Sequence, residues 1–180
     1  MFKTDCECEL TDAELVGRTR LGSLEAYDVL VTRYRRGIYR LALGMTQNHE
    51  ASDDLAQEAF ILAFKRIRQL KNADRFGPWL RKILTNLCIR HASRQRPSSL
   101  EGEISDESSD SAEKDLVRQS VRSAIFELEP NERATVLLYY MEGLTQADIA
   151  DVLDCPIGTI LSRLSSARAK LRDRLADLIG

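Results

Sequence analysis

Small polar residues and cations share one face of the helix that is predicted near the end of this chain. Apolar residues recur there at spacings of three and four, which predicts one buried stripe made of Ile157, Ile160, Leu164, Ala167, Leu171, Leu175 and Leu178. The opposite face holds Gly158, Thr159, Ser162, Ser165, Ser166 and Ala169, flanked by Arg163, Arg168, Lys170 and Arg172. Small side chains let a helix approach base edges, and long cations reach phosphates. The pattern favours a helix that lies in a DNA groove; a helical hairpin with a solvated face would share it.

A short helix and a three-residue turn precede this face. Thr145 and Asp148 have the spacing of an N-terminal cap, and apolar residues follow them at helical spacing. Asp154, Cys155 and Pro156 form the turn, because proline suits the start of the next helix. Two helices joined so tightly predict a helix-turn-helix, in which the first helix crosses the DNA backbone and the second enters the major groove.

A second cluster of candidate nucleic-acid ligands lies in the first half of the chain. Residues 61–96 contain ten Lys or Arg against one Asp, a local net charge of plus nine. Trp79 and Asn86 lie among these cations, after a loop with Arg75 and Phe76. Aromatic rings beside cations and an amide can hold unpaired bases by stacking and by edge hydrogen bonds. The alternatives are a core position for Trp79 and a solvated helix face for the cations.

Charge also divides the chain. The formal net charge is only −2, but residues 98–115 contain seven acids, six serines and one Lys, a local net charge of minus six. Such a segment has few residues that pack and it repels itself, so we expect a flexible tether. The tether separates residues 1–97 from residues 116–180, and a chain of 180 residues is long enough for two small domains.

Helix starts recur in both halves without a strand pattern, so the predicted fold class is all-α. Thr11 with Glu14 predicts a capping box, and Ser23 predicts a second cap. Ser52 is predicted to cap a third helix with two acids in its first turn, and Pro78 to begin a fourth. We expect helices at about 12–21, 24–43, 53–70 and 78–95, and at about 116–128 and 131–141 before the helix-turn-helix.

Apolar runs, cysteines and motifs exclude several classes of protein. No stretch approaches the roughly 20 apolar residues that cross a bilayer, and the N-terminus has no long apolar core, so we expect a cytoplasmic protein without membrane insertion. Its four cysteines, Cys6, Cys8, Cys88 and Cys155, are then expected to be reduced thiols that hold no metal. The sequence has no phosphate-binding Gly loop and no nucleophile motif, so neither an enzymatic activity nor a cofactor is expected.

Several motifs, in this order, resemble one family. They are "LAQEAFILAF", "RFGPWLRKILTNLCIRH", the acidic tether, and a C-terminal stretch that includes "EGLTQADIADVL" and "PIGTILSRL". Together they resemble a bacterial RNA polymerase sigma factor of the compact extracytoplasmic-function type, over nearly the whole chain. The resemblance implies a promoter-melting and polymerase-binding domain at 1–97 (sigma region 2), an acidic linker at 98–115 and a helix-turn-helix domain at 116–180 (sigma region 4).

The resemblance also implies partners and contact residues for promoter-specific initiation. The partners are core RNA polymerase, through the clamp of its largest subunit and its flap region, promoter DNA, and an anti-sigma factor. The residues implied for the clamp are Asp53, Asp54, Gln57 and Glu58. Those implied for the minus-10 element are Arg75, Phe76, Trp79, Arg81, Lys82, Asn86, Arg90 and Arg94, with Asn86 at the specificity position. Those implied for the minus-35 element are Thr145, Gly158, Thr159, Ser162, Arg163, Ser166, Arg168 and Lys170.

Some positions depart from the family pattern, and one other class of function stays open. Leu161 and Ser166 stand where the family often has basic residues, which leaves the minus-35 preference open. Phe64 replaces a frequent Trp, and Arg90 a common acid. The alternative function is a stand-alone helix-turn-helix regulator with a sensor or dimerisation module, which would bind paired half-sites as a dimer without polymerase.

Overall fold

A computed structural model describes residues 10–94 and 112–179, with side chains in the second range described for 116–176. Its eight α-helices are α1 (Asp12–Arg20), α2 (Leu24–Thr46), α3 (His49–Arg66), α4 (Phe76–Arg94), α5 (Ala112–Phe126), α6 (Pro130–Tyr140), α7 (Gln146–Leu153) and α8 (Ile157–Ile179). Two single 3₁₀ turns, Ile67–Gln69 and Ala73–Arg75, join α3 to α4. These residues contain no strand, so the all-α class is confirmed. The predicted tether lies outside the described residues, except that α5 already begins at Ala112.

Local sequence explains most of the helix starts. Thr11 and Glu14 form the predicted capping box, in which the Glu14 amide donates to the Thr11 hydroxyl at 3.3 Å and the Thr11 amide donates to the Glu14 carboxylate at 2.8 Å. The Ser23 hydroxyl accepts from the Ala26 amide at 3.2 Å and caps α2. Short polar side chains at these positions satisfy amides that have no partner within the helix, which fixes where each helix begins.

The predicted start of α3 is wrong. Asn48 is the N-cap, and its side chain accepts from the Ala51 amide at 2.8 Å. Ser52 lies inside the helix, fully buried, where its hydroxyl donates back to the Asn48 carbonyl at 2.5 Å. Either residue type can cap a helix, and a serine one turn further along can instead bond the carbonyl four residues before it. As a consequence, Asp53 and Asp54 lie in the second turn of α3.

The start of α4 also differs from the prediction. The Asn72 side chain accepts from the Asp74 amide at 3.0 Å and begins the second 3₁₀ turn, which runs directly into α4 at Phe76. Pro78 therefore lies inside the first turn, where the amide that it lacks would have had no partner within the helix. The predicted loop that contains Arg75 and Phe76 is thus partly helical.

Both halves of the chain contribute to one apolar core. The first four helices supply the fully buried Leu15, Leu30, Ile38, Leu41, Met45, Phe76, Leu80 and Leu84. Leu137, Leu138, Ile149 and Ile160 from α6, α7 and α8 join the same cluster. On α8 the predicted stripe is buried at Ile160, Leu164 and Ala167, whereas Ile157 is 49% exposed at the helix start. The helix-turn-helix therefore packs directly on the first half.

Candidate polymerase and DNA interfaces

The three acids and one amide predicted to contact the polymerase are all exposed on α3. A spacing of four places Asp53 next to Gln57 and Asp54 next to Glu58, so they form two adjacent strips. The first strip borders a groove between α2 and α3. The second borders a smaller cavity beside His91 of α4. The predicted residues thus face two neighbouring surfaces rather than one.

The groove between α2 and α3 is apolar at its floor and charged at its rim. Its apolar lining includes Leu24, Tyr27, Val31, Phe60, Ile61 and Phe64. Three of these are large side chains with substantial exposure, at 60% for Leu24, 45% for Ile61 and 40% for Phe64. Arg35 and Arg36 of α2 lie opposite Asp53 and Gln57 of α3 along the rim. An apolar groove with a charged rim has the form that binds an amphipathic helix of another protein.

Sequence reasoning missed the α2 side of this groove. It considered only the acids of α3, whereas Val31, Arg35 and Tyr39 follow one another at a spacing of four on α2. A search for a second amphipathic face on α2 would have found them.

Three of the predicted minus-10 residues form an exposed strip along α4. Asn86, Arg90 and Arg94 recur at a spacing of four and are all exposed. The Arg90 guanidinium donates from Nε to the Asn86 carbonyl at 3.2 Å, which holds the cation beside the amide side chain. An amide flanked by cations on one helix face can pair with a base edge while the cations contact phosphates.

The two aromatic residues of the predicted minus-10 set occupy different environments. Phe76 is fully buried, in edge-to-face contact with Tyr34 at 5.4 Å between ring centroids. Trp79 is partly buried and packs against the core, with its ring centroid 6.1 Å from that of Phe76. In this arrangement the Phe76 ring is not accessible to a base, and it packs against Trp79. Of the two alternatives for Trp79, a base-stacking surface and a core position, the structure is nearer to the core position.

The remaining cations of the predicted minus-10 set are Arg75, Arg81 and Lys82. Each contacts an acid from the helix-turn-helix half of the chain. The structure therefore brings Asn86, Arg90 and Arg94 together on an accessible strip, and it holds the remaining three cations at the contact between the two halves.

The predicted minus-35 residues lie on α7, α8 and the turn between them. Thr145 caps α7, accepting from the Asp148 amide at 3.1 Å. Gly158 and Ser162 are exposed near the start of α8, and Thr159 is partly exposed. The turn is the predicted one, with Asp154 in the left-handed region at φ 53°. Together these features confirm a helix-turn-helix whose second helix begins with small, accessible side chains.

Four further residues of the minus-35 set are held by side chains of α6 or of the turn. Ser166 donates to Glu132 at 2.7 Å, and Lys170 pairs with the same carboxylate at 2.7 Å. Arg168 donates to the Tyr140 hydroxyl at 3.0 Å. Arg163 points to the Cys155 sulfur at 3.7 Å. Partial burial opposes ionisation of Glu132, but the hydrogen bonds from Lys170 and Ser166 outweigh burial and hold its pKa below the usual value.

Glu132 and Tyr140 are positioning residues that sequence reasoning missed. Both precede the helix-turn-helix on α6, and no local spacing links them to α8, 28 to 38 residues later. The polar start of α6, which contains Glu132 beside Asn131 and Arg133, was the available signal.

Two of the four cysteines, Cys88 and Cys155, lie within the described residues. Cys88 is buried in the core, and burial raises the pKa of its thiol to about 12. Cys155 is partly buried in the turn. Cys6 and Cys8 lie outside the described residues. Within the described part, no group of three or more His, Cys, Asp or Glu side chains has the proximity to hold a metal ion. No described helix is both long and apolar enough to cross a membrane.

Comparison with known proteins assigns both halves. Residues 30–97 match the family Sigma-70 region 2, and residues 118–171 match the family Sigma-70, region 4. The ECF RNA polymerase sigma-E factor of Escherichia coli (strain K12) is 30% identical over 95% of this chain and 97% of its own length. The chain belongs to the extracytoplasmic-function group of the sigma-70 family.

Other relatives agree with this sigma-factor membership. RNA polymerase sigma-H factor of Pseudomonas aeruginosa is 29% identical, over 93% of this chain and 95% of its own length. A solved structure of CnrH, in complex with the cytosolic domain of CnrY, has a TM-score of 0.72 and 26% identity, covering 92% of this chain and 97% of that chain. The chain is therefore a transcription initiation factor that recognises promoters, and it is not an enzyme. This result excludes the alternative of a stand-alone regulator.

Proposed function

We propose that this sigma factor divides promoter recognition between its two halves. Residues 1–97 bind the polymerase clamp and the minus-10 element, residues 116–180 read the minus-35 element and contact the flap region, and residues 98–115 connect them. The observation that carries the proposal is the match to both sigma regions in chain order, with exposed candidate surfaces on each.

The groove between α2 and α3 is the proposed surface for the polymerase clamp. Its apolar floor and the exposed Asp53 and Gln57 at its rim can bind a helix with an apolar face and basic edges. Burial of Ile61 and Phe64, which are 45% and 40% exposed, would supply the apolar part of the affinity. Asp54 and Glu58 extend the acidic side of this surface beside the groove.

Minus-10 recognition is proposed for the strip on α4. Asn86 would read an unpaired base through its amide, which has both a donor and an acceptor. Arg90 and Arg94 would contact adjacent phosphates, and Trp79 would stack only through the part of its ring that remains exposed.

Minus-35 recognition is proposed for the start of α8. Gly158, Thr159 and Ser162 present little bulk, which lets the helix enter the major groove, and Arg163 lies one residue beyond them. Arg168 and Lys170, fixed by Tyr140 and Glu132, would contact phosphates on one side of the groove.

An anti-sigma factor and a cytoplasmic location complete the proposal. One structure similar to this chain, that of CnrH, is of a complex with the cytosolic domain of CnrY. We propose that an anti-sigma factor binds this chain, because the exposed apolar groove offers a surface that a helical inhibitor can share with polymerase. Since promoter DNA and core polymerase are the proposed partners, the cytoplasm is the proposed location.

Run-off transcription tests this function. Purified chain is added to a matching bacterial core polymerase with a panel of promoters selected from its own genome. The expected result is specific initiation that requires both components. Asp53→Ala with Gln57→Ala should reduce core binding in a pull-down, whereas Asp173→Asn on the exposed face of α8 should not. Failure to stimulate initiation at every promoter would contradict the proposal.

A further inference from the structure

The start of α8 exposes two large apolar side chains. Ile157 is 49% exposed and Leu161 is 48% exposed. A spacing of four places them next to each other on one face of the helix. The part of α8 that packs in the core begins instead at Ile160, which is fully buried and is followed by the buried Leu164. Ile157 and Leu161 therefore form an apolar pair that is open to solvent, on the part of α8 proposed to enter DNA.

The neighbours of this pair are small. Gly158 and Ser162 are exposed beside it, again at a spacing of four. A Cβ added at Gly158 would meet no atom within 4 Å, so packing within the described chain does not require a glycine there. Glycine favours a helix less than alanine does. The missing side chain at this position therefore fits the close approach of another molecule to the helix backbone.

The side chains of this face match one feature of the bases better than the others. Residues 157–162 contain no charged side chain and no side-chain amide. Proteins recognise guanine mainly with Arg or Lys, adenine with Asn or Gln, and cytosine with Asp or Glu. Ile157 and Leu161 offer only apolar contact, and the apolar feature that a base presents in the major groove is the C5 methyl group of thymine. The chemistry of the pair therefore favours thymine.

The spacing of the pair limits where two such thymines can lie. Four residues of an α-helix rise by about 6 Å along the helix axis. Base pairs are about 3.4 Å apart along the duplex. A helix that follows the groove would therefore place Ile157 and Leu161 against methyl groups about two base-pair steps apart.

We propose that Ile157 and Leu161 read the minus-35 element by apolar contact with the methyl groups of two thymines about two base-pair steps apart. Gly158 and Ser162 allow the close approach that this contact needs. The inference rests on the proposed function, because that function makes α8 the helix that enters the major groove.

The test begins with a selection from duplexes that contain randomised base pairs. It uses the full chain alone and the holoenzyme that the chain forms with a matching bacterial core polymerase, and both should enrich two thymines at the stated spacing. Fluorescence anisotropy then compares the selected duplex with copies in which one of these thymines is replaced by uracil, which lacks only the methyl group. Each replacement should weaken wild-type binding about fourfold, as expected for one buried methyl group.

Variants of the pair show whether these side chains make the contact. Ile157→Ala and Leu161→Ala should each bind the selected duplex more weakly and become insensitive to one of the two uracil replacements. A general structural defect would instead weaken binding to the thymine and uracil duplexes equally. Leu21→Ala makes the same change at a leucine that is 91% exposed in the first half of the chain, and it should leave the discrimination unchanged. Leu161→Arg should shift the preferred base at one position from thymine to guanine, because a guanidinium can donate to both guanine acceptors.

Three results would overturn the inference. The first is a selection that enriches no thymines. The second is an equal effect of uracil on the wild type and on both alanine variants. The third is weaker binding of these variants to core polymerase in a pull-down with unchanged discrimination, which would assign the pair to a protein contact.

Run-off transcription from a promoter that carries the selected element keeps the two proposals separate. Initiation without any effect of the methyl groups contradicts only the reading of thymine by Ile157 and Leu161. An effect of the methyl groups on binding without initiation contradicts only the promoter function.

Discussion

Arg133 is a buried cation where α6 meets the ends of α2 and α5. It is 7% exposed and lies over the Phe126 ring, with its guanidinium carbon 4.1 Å from the ring centroid. Its guanidinium donates to the Met45 carbonyl at 2.6 Å, to the Leu128 carbonyl at 3.1 Å and to the Phe126 carbonyl. Met45 and Phe126 lie at the C-terminal ends of α2 and α5, where carbonyls have no helical partner and favour a cation.

The net effect of Arg133 follows from two opposing contributions. Hydrogen bonds to a charged group contribute about 1.5–3 kcal/mol each, so three contribute about 4.5–9 kcal/mol. Burial opposes them, since it lowers the pKa of Arg133 to about 10. A shift of that size, the net of burial and the opposing charge of Glu129, corresponds to about 3 kcal/mol against the charged form. Arg133→Met, which keeps the apolar stem, should therefore lower the free energy of unfolding by about 1.5–6 kcal/mol.

Urea unfolding, followed by circular dichroism at 222 nm, measures this change. Arg133→Lys should lie between the wild type and Arg133→Met, because an ammonium keeps the charge but lacks the fork that reaches separate carbonyls. Arg172→Met, a matched loss of an exposed arginine on α8, should change stability by no more than about 0.5 kcal/mol. A loss below about 1 kcal/mol for Arg133→Met would refute the reasoning, since the hydrogen bonds would then barely exceed the desolvation cost.

The remaining predictions concern DNA and metal. Arg163→Ala should weaken minus-35 duplex binding about tenfold, whereas Asn86→Ala should impair minus-10 recognition; equal defects on templates with a pre-melted minus-10 region would contradict this division. If five to eight phosphates are contacted, promoter affinity of the holoenzyme should fall with salt at a log-log slope of about −4.5 to −7, and a flat response would mean that the cations only solvate the surface. Leu161 is 48% exposed on α8, so replacing minus-35 thymines with uracil should weaken binding about fourfold per contacted methyl for the wild type but not for Leu161→Ala. Reduced protein should bind no stoichiometric zinc by elemental analysis, and Cys6→Ser with Cys8→Ser should leave promoter-specific transcription unchanged; one equivalent of zinc, lost in that double variant, would contradict this.

Features fixed by neighbouring residues could be predicted from the sequence. The capping box of Thr11, the Ser23 cap, the Thr145 cap and the three-residue turn all depend on side chains within a few positions of the backbone groups that they satisfy. The start of α3 was predicted wrongly because Asn48 and Ser52 are both competent caps, one turn apart. Only the packing of α2 against α3, which buries Ser52, decides between them.

Side-chain environment was harder to predict than side-chain position. The sequence places Phe76 and Trp79 next to the cations of α4, but it does not show that Tyr34 lies edge-on against Phe76 and buries it. Likewise, Glu132 and Tyr140 of α6 fix cations of α8 through contacts between residues 28 to 38 positions apart. Contacts at such separations depend on how the helices pack, which no local pattern encodes.

The acids of the helix-turn-helix show why the contact between the halves escaped sequence analysis. On the first helix of a helix-turn-helix, which crosses the DNA backbone, Asp148 was interpreted from the sequence only as part of the cap with Thr145. Carboxylates near phosphates oppose binding, so an acid on this helix would be unfavourable beside a duplex. The Thr145 hydroxyl, and then Arg75, hold the pKa of Asp148 below its ordinary value, so the carboxylate is charged at neutral pH. Its favourable partner in the free chain is the cation of Arg75, 73 residues earlier. The same carboxylate therefore joins α7 to the turn before α4, and a contact of this kind depends on the packing of the two halves rather than on any spacing within either of them.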